Sequence, residues 1–187
     1  MQYGIRLLEV LNGNAETHLV ISAQGRELIE YETDVPVYHV IREATFNYAD
    51  DDFMAPAASG SFRFDAMVIV PCTMKTLSSV ANGYADTLIS RAAEVTLKEG
   101  RKLILVTREM PLSLVDIENM AKAKKAGAVI MPASPGFYNK PKTIDDLLNN
   151  VVSRILDQCG IDNELIQRWG EPKKKSTMQS SSHKIVR

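Results

Sequence analysis

An α/β fold, with a parallel sheet covered by helices on both faces, is what this sequence predicts, on three observations. Short apolar stretches, Ala66-Met-Val-Ile-Val70, Lys102-Leu-Ile-Leu-Val-Thr107 and Ala128-Val-Ile-Met131, run without polar alternation, as strands buried on both faces do. Helical segments of about ten or more residues separate them, which suits parallel strands joined by right-handed crossovers. The 187 residues suffice for one domain with a full core, and 45% hydrophobic with 24% charged residues is a globular composition.

The elements follow in order. Tyr3 to Leu11 sets Ile5, Leu7, Leu8 and Leu11 on a helical face before Asn12-Gly-Asn14 ends it. Thr17-His-Leu-Val-Ile-Ser22 is expected as a buried strand and Gln24 to Tyr31 as the next helix. Val35 to Ile41 reads as an extended piece, and Asn47 to Phe62, rich in Asp, Ala, Ser and Gly, as a long loop of the kind that binds ligands. After the Ala66 strand a polar turn opens into helix, and helices continue to Glu99. Leu114 to Ala126 is a further helix, and the last spans about Thr143 to Cys159. There is no internal repeat.

Composition narrows the function classes. No apolar run approaches the ~20 residues of a membrane helix, and the start carries no basic-then-apolar leader, so a cytoplasmic protein with no membrane partner is expected. Cys72 and Cys159 are too few for a disulfide framework and lack companions at metal-ligand spacing, so reduced structural thiols and no metal site are expected. Five of the 22 basic residues and none of the 23 acidic ones lie in 172–187. This divides the chain into an acidic domain, 1–171, and a flexible basic tail, 172–187, read as solvated rather than as a nucleic-acid-binding arm.

The strand ends collect the chemistry. Around Thr73, Met74, Lys75 and Thr76 the backbone N–H groups at a helix start, two hydroxyls and an ammonium suit an anion, first of all a phosphate-bearing ligand; an ordinary capped helix is the alternative. Ser22 ends the first strand in the same way. Arg108 and Glu109 adjoin just beyond another strand, where the arginine would hold a phosphate or carbonyl oxygen and the glutamate would handle protons, unless they form a surface ion pair or cap. Glu32 is a further carboxylate, with a solvated helix end as its plainer reading. Gly136-Phe-Tyr138, after Pro132-Ala-Ser-Pro135, is a rigid loop whose aromatics would stack on a ring or an isoprenoid, with core packing of Phe137 as the alternative. Arg91, Lys98 and Arg154 sit on helices, where charges ordinarily face water. No histidine accompanies a nucleophile, and there is no Gly-x-Ser-x-Gly elbow, complete P-loop or His-Glu-x-x-His, so hydrolase and metalloenzyme readings fall away.

Seven motifs in order, Tyr31-Glu-Thr-Asp34, Met54-Ala-Pro-Ala-Ala-Ser-Gly-Ser61, Cys72-Thr-Met-Lys-Thr-Leu77, Asn82-Gly-Tyr-Ala-Asp86, Arg108-Glu109, Pro135-Gly-Phe-Tyr138 and Arg168-Trp-Gly170, closely resemble the flavin prenyltransferases of the UbiX family from Tyr3 to about Glu171. The resemblance implies a Rossmann-like, flavodoxin-like sheet that binds FMN in a homo-oligomer, usually a dodecamer. It implies dimethylallyl monophosphate as second substrate, used without a metal ion. The prenyl group would join flavin N5, a fourth ring would close at C6, and the prenylated FMN would pass to a UbiD-type decarboxylase. The older label of aromatic-acid decarboxylase would then describe the pathway.

By the same resemblance, Ser22, Thr73, Met74, Lys75, Thr76 and Arg108 match the family's FMN contacts. Tyr138 and Arg154 match contacts to the prenyl phosphate, and Lys98 and Arg91 match basic residues of that phosphate pocket, some reaching across a subunit interface. Several cations suit a poor leaving group whose negative charge must be met before the C–O bond breaks. Trp169 with Tyr138 would give an allylic cation an aromatic surround. Glu109 matches an acid/base residue for the proton changes at N5 and C6, and Glu32 a second pocket carboxylate.

One departure stands out. Family members begin with a strand and a Gly-Ala-Ser-Gly loop that cradles the flavin phosphate, and this chain starts at the helix that follows. The expectation is that two neighbouring strands lose a partner and that a set of phosphate donors is missing, with a start codon assigned too late as the explanation. Two other readings remain. A related flavin-dependent cysteine decarboxylase would want an active-site histidine and a Pro-Ala-Ser-Ala-Asn-Thr segment, both lacking here. A non-catalytic flavoprotein-like subunit is kept open by the missing loop.

Overall fold

In the computed structural model, which describes residues 1–170, helices and parallel strands alternate as expected, but the sheet comes in two pieces. The order is α1 Gln2–Leu11, β1 His18–Val20, α2 Ala23–Glu32, α3 Val37–Arg42, β2 Phe46–Tyr48, a 3₁₀ turn Pro56–Ala58, β3 Ala66–Cys72, α4 Met74–Asn82, α5 Leu88–Lys98, β4 Lys102–Thr107, α6 Leu114–Lys125, β5 Val129–Pro132 and α7 Ile144–Cys159. One sheet is β3-β4-β5 and the other β1-β2, all pairs parallel. β1 and β3 are therefore each hydrogen-bonded to a single neighbour. The expected basic tail, 172–187, lies outside the described residues.

β4 explains why the larger sheet is the core. It has a strand on each side and helices on each face, and Leu103, Ile104, Leu105 and Val106 are all 0% exposed. Alternation sends Leu103 and Leu105 to one cluster, with Leu77, Val80 and Ala93 of α4 and α5, and Ile104 and Val106 to another, with Leu7 of α1 and Val152, Ile155 and Leu156 of α7. Burial of side chains of this size contributes roughly 1.5–3 kcal/mol each, so this strand and its two coats carry much of the folding energy.

α1 joins the two sheets. Its Leu7 enters the β4–α7 cluster, whereas Ile5 and Leu8 pack with Ile21, Ile29 and Val40 beside the smaller sheet. The helix crosses β3 closely: a Cβ on Gly4 would stand 2.8 Å from the Val70 carbonyl oxygen, which only glycine avoids.

Three expectations are corrected. Val35 to Ile41 is not extended: Pro36, at φ −62°, leads into α3, and burial of Val40 against Ile29 and Ile21 outweighs the β-branched residues' preference for strand. The segment Asn47 to Phe62 is not all loop, since Phe46–Tyr48 pairs with His18–Val20 and Pro56–Ala58 makes a 3₁₀ turn. The first strand is also shorter than expected, because Ser22 leaves it to cap α2.

Candidate functional site

The ends of the larger sheet are in register. Cys72 pairs with Thr107, and Thr107 with Pro132, so Thr73, Arg108 and Ala133 leave the sheet side by side on the edge where the strands finish. In open parallel sheets this edge is where ligands lie. The Ala133 N–H donates to the Thr107 carbonyl at 2.8 Å and holds the last of the three turns down.

α4 starts at this edge. Thr73 Oγ1 accepts from the Thr76 N–H at 3.3 Å and lies 3.1 Å from Thr76 Oγ1. The cap thus takes the Thr76 N–H, which corrects the expectation that it is among the groups offered to an anion. Those of Met74 and Lys75, in the first turn, have no intrahelical acceptor and point with the positive end of the helix dipole. The Met74 side chain packs on the apolar cluster, so its backbone is what it offers a ligand. The Lys75 side chain lines a separate cleft of about 360 Å³ with Ser78, Ser79, Asn82, Tyr84 and Asp86.

α2 starts in the same manner after β1. Ser22 Oγ accepts from the Gly25 N–H at 3.1 Å, and a Cβ on Gly25 would come within 3.2 Å of that oxygen. Arg108 and Glu109 are exposed and make no ion pair with each other among the described residues, so the ion-pair alternative is not realised there. Glu109 Oε1 accepts from the Met110 N–H at 3.3 Å. Cys72, the last residue of β3, is fully buried; burial pushes its thiol up to about 12, which leaves it protonated and unreactive.

A second group of site residues gathers around α7. The Gly136 N–H donates to Asn150 Oδ1 at 2.9 Å, and the Tyr138 ring folds back so closely that a Cβ on Gly136 would be 2.9 Å from it. Tyr138 meets Trp169 edge to face, centroids 5.7 Å apart at 80°. Phe137 is 72% exposed, which overturns core packing as its role. Arg154 Nη1 donates to Asp157 Oδ2 at 2.8 Å, and Asp157 also accepts two hydrogen bonds from Arg168, at 3.0 and 2.7 Å. The Arg168 guanidinium, first among its neighbours, holds the Asp157 carboxyl below the ordinary carboxylate range.

The remaining candidates lie apart. Arg91 Nε donates to the Ala58 carbonyl at 3.2 Å and Nη1 pairs with Glu94 at 2.8 Å, so it braces the 3₁₀ turn. Lys98 ends α5 just before β4 begins, which puts it at the opposite edge of the sheet. Glu32 ends α2, at the other end from Ser22, and pairs with the Met1 amino group. No hydrogen bond, ion pair or ring contact links Ser22 or Thr73–Thr76 to Tyr138 or Arg154 among the described residues.

Two residues of evident structural weight, Asn150 and Asp157, were not among those expected. Their signal in the sequence is faint: with Arg154 they recur at i, i+4 and i+7, a polar line along a helix that carries other polar residues as well.

Comparison with known proteins completes the description. Residues 1–156 match the family model described as Flavoprotein. The chain is 54% identical over 167 residues to the flavin prenyltransferase UbiX of Thermoplasma acidophilum, covering 89% of this chain and 92% of that one. A crystal structure of AnUbiX (PadA1) in complex with FMN and dimethylallyl pyrophosphate matches with a TM-score of 0.89 at 45% identity, over 91% of this chain and 92% of its own. A dodecameric FMN-dependent UbiX-like decarboxylase from Escherichia coli O157:H7 matches with a TM-score of 0.88 at 46% identity, over 90% and 92%.

Proposed function

Because this chain belongs to the UbiX family of flavin prenyltransferases, we propose that it transfers a dimethylallyl group from dimethylallyl monophosphate to N5 and C6 of reduced FMN. The prenylated FMN would serve a UbiD-type decarboxylase in the cytoplasm. No described helix is long and apolar enough to cross a membrane. The flavin supplies the nucleophilic ring atoms; the protein's own residues bind, orient and handle protons.

The observation that carries this reading is the presence of two differently built anion-suited groups in one chain. The capped start of α4 offers the N–H groups of Met74 and Lys75 and the hydroxyls of Thr73 and Thr76, a donor set that fits the FMN phosphate, and Arg108, beside Thr73 on the sheet edge, adds a guanidinium; Ser22, capping α2 after β1, would add a hydroxyl. Around α7, Arg154 and Tyr138 fit a phosphate ester, with Trp169 beside Tyr138 as an aromatic wall for the allyl group. Glu109 would move protons at N5 and C6, with Glu32 a second carboxylate.

No hydrogen bond or ion pair ties the two groups together among the described residues, which supports a reading in which the complete site draws on neighbouring copies. A homo-oligomer, on the pattern of the dodecameric relative, would bring one chain's helix starts to a neighbour's α7, and would let Arg91 and Lys98 reach a phosphate that they do not approach in their own subunit.

The test is anaerobic incubation of the chain with reduced FMN and either dimethylallyl monophosphate or the pyrophosphate found in the relative. The expected result with the monophosphate is a flavin heavier by one C5H8 unit with an altered absorption spectrum. Flavin bound but unchanged in mass with both esters would favour the non-catalytic subunit.

A further inference from the structure

From Ile161 to Gly170 the chain has neither helix nor strand, so its own backbone does not fix the position of Trp169. Ile161 and Leu165 rest on the apolar cluster of α7, and Arg168, the residue before Trp169, is then fastened to Asp157. Burial does not hold the indole, which is 84% exposed. The same carboxylate accepts from Asn163 Nδ2 at 3.3 Å and Arg154 Nη1 at 2.8 Å, and its side chain is 18% exposed against 56% for Arg154 and 35% for Arg168. Two guanidinium groups converging on one place repel; a carboxylate between them removes the repulsion, leaves one net positive charge and fixes both planes. Only Nη1 of Arg154 is engaged with Asp157, so its other nitrogens remain free to donate to an anion.

We propose that Asp157 is the positioning residue of the prenyl-phosphate half-site. It holds Arg154 by one nitrogen and presents the rest to the phosphate ester, and through Arg168 it keeps Trp169 against Tyr138 as the wall of the allyl pocket. The inference rests on the reading of Arg154 and Tyr138 given above, and it adds what holds them in place.

Trp169 is the chain's single tryptophan, so its emission reports the contact directly. The experiment compares Asp157→Asn, Arg168→Gln and the double variant with the native full chain, each loaded with FMN. Expected are unchanged FMN affinity, a red-shifted and more readily quenched tryptophan emission, and a KM for dimethylallyl monophosphate raised about tenfold, the scale of a lost charged hydrogen bond, with a smaller change in kcat. The double variant should be no worse than the worse single one, because both act through one network. A folded Asp157→Asn chain with native emission overturns the proposal, as does a shifted emission with native KM. If Asp157→Asn fails to bind FMN, Arg168→Gln is judged by the same criteria. If the native chain makes no prenylated flavin, the functional reading fails, while the emission still decides whether Asp157 holds Trp169.

Discussion

At the starts of α2 and α4 the donors are held by residues next to them in sequence, Ser22 with Gly25 and Thr73 with Thr76, whereas around α7 they are held by residues far apart, Gly136 with Asn150 and Arg168 with Asp157. The first arrangement offers mainly backbone groups and short hydroxyls, already oriented by the helix; the second offers long side chains that need cross-ties before they point anywhere. A flavin that must be gripped firmly suits the first. A small ester whose leaving group needs charge at one moment suits the second, in which cations are placed beforehand.

The largest effect should come from the second region. Arg154→Ala is expected to lower kcat/KM for prenyl transfer by about 10³-fold, the upper range for removing one preorganised donor, with FMN binding intact by fluorescence quenching. Loss of FMN binding in that variant would merge the two regions and break the comparison. Glu109→Gln should lower kcat by about 100-fold with little change in either binding constant, as loss of an acid/base group does; an equal rise in KM would make it a binding residue.

A smaller effect is expected in the first region. Thr73→Ala removes a cap of about 1 kcal/mol, so it should weaken FMN binding severalfold and lower the melting temperature slightly, without altering KM for the prenyl ester. Acid should separate the regions too. Asp157's carboxyl is held below its usual value near 3.9, so its stabilisation is complete above about pH 4 and is lost as pH falls through the lowered value. The stability gap between native and Asp157→Asn chains, read from urea midpoints, should therefore be constant from pH 7 to about pH 5 and shrink below pH 4. A gap that grew on acidification would contradict the ion pair.

The difference also explains what could be read from residues alone. The strand Lys102–Thr107 and the helix start at Thr73 were legible because each is a local pattern, an apolar run or a cap after a strand. α3 was not, since Val37-Tyr-His-Val-Ile41 has the composition of a strand and becomes helix through packing of Val40. Asp157 was hidden because its partner Arg168 lies in a segment with no period, and an i,i+3 neighbour such as Arg154 looks like any solvated helix face. Lys98 and Arg91 carry the opposite lesson. The family pattern named them, yet within this chain Arg91 braces the 3₁₀ turn and Lys98 ends α5 at the far edge of the sheet, so nothing in their local surroundings marks them as phosphate ligands.

The central claim, that the two regions form one site across a subunit boundary, is tested most directly by complementation. Arg154→Ala chains are unfolded and refolded together with chains carrying Ser22→Ala and Thr73→Pro, which would lack the flavin grip, and prenylated FMN is measured by mass. Each parent oligomer should be inactive and the mixed oligomer active, because an intact cradle from one chain then faces an intact Arg154 from the other. Mixed oligomers as inactive as their parents would place both regions' work within a single chain and contradict the account.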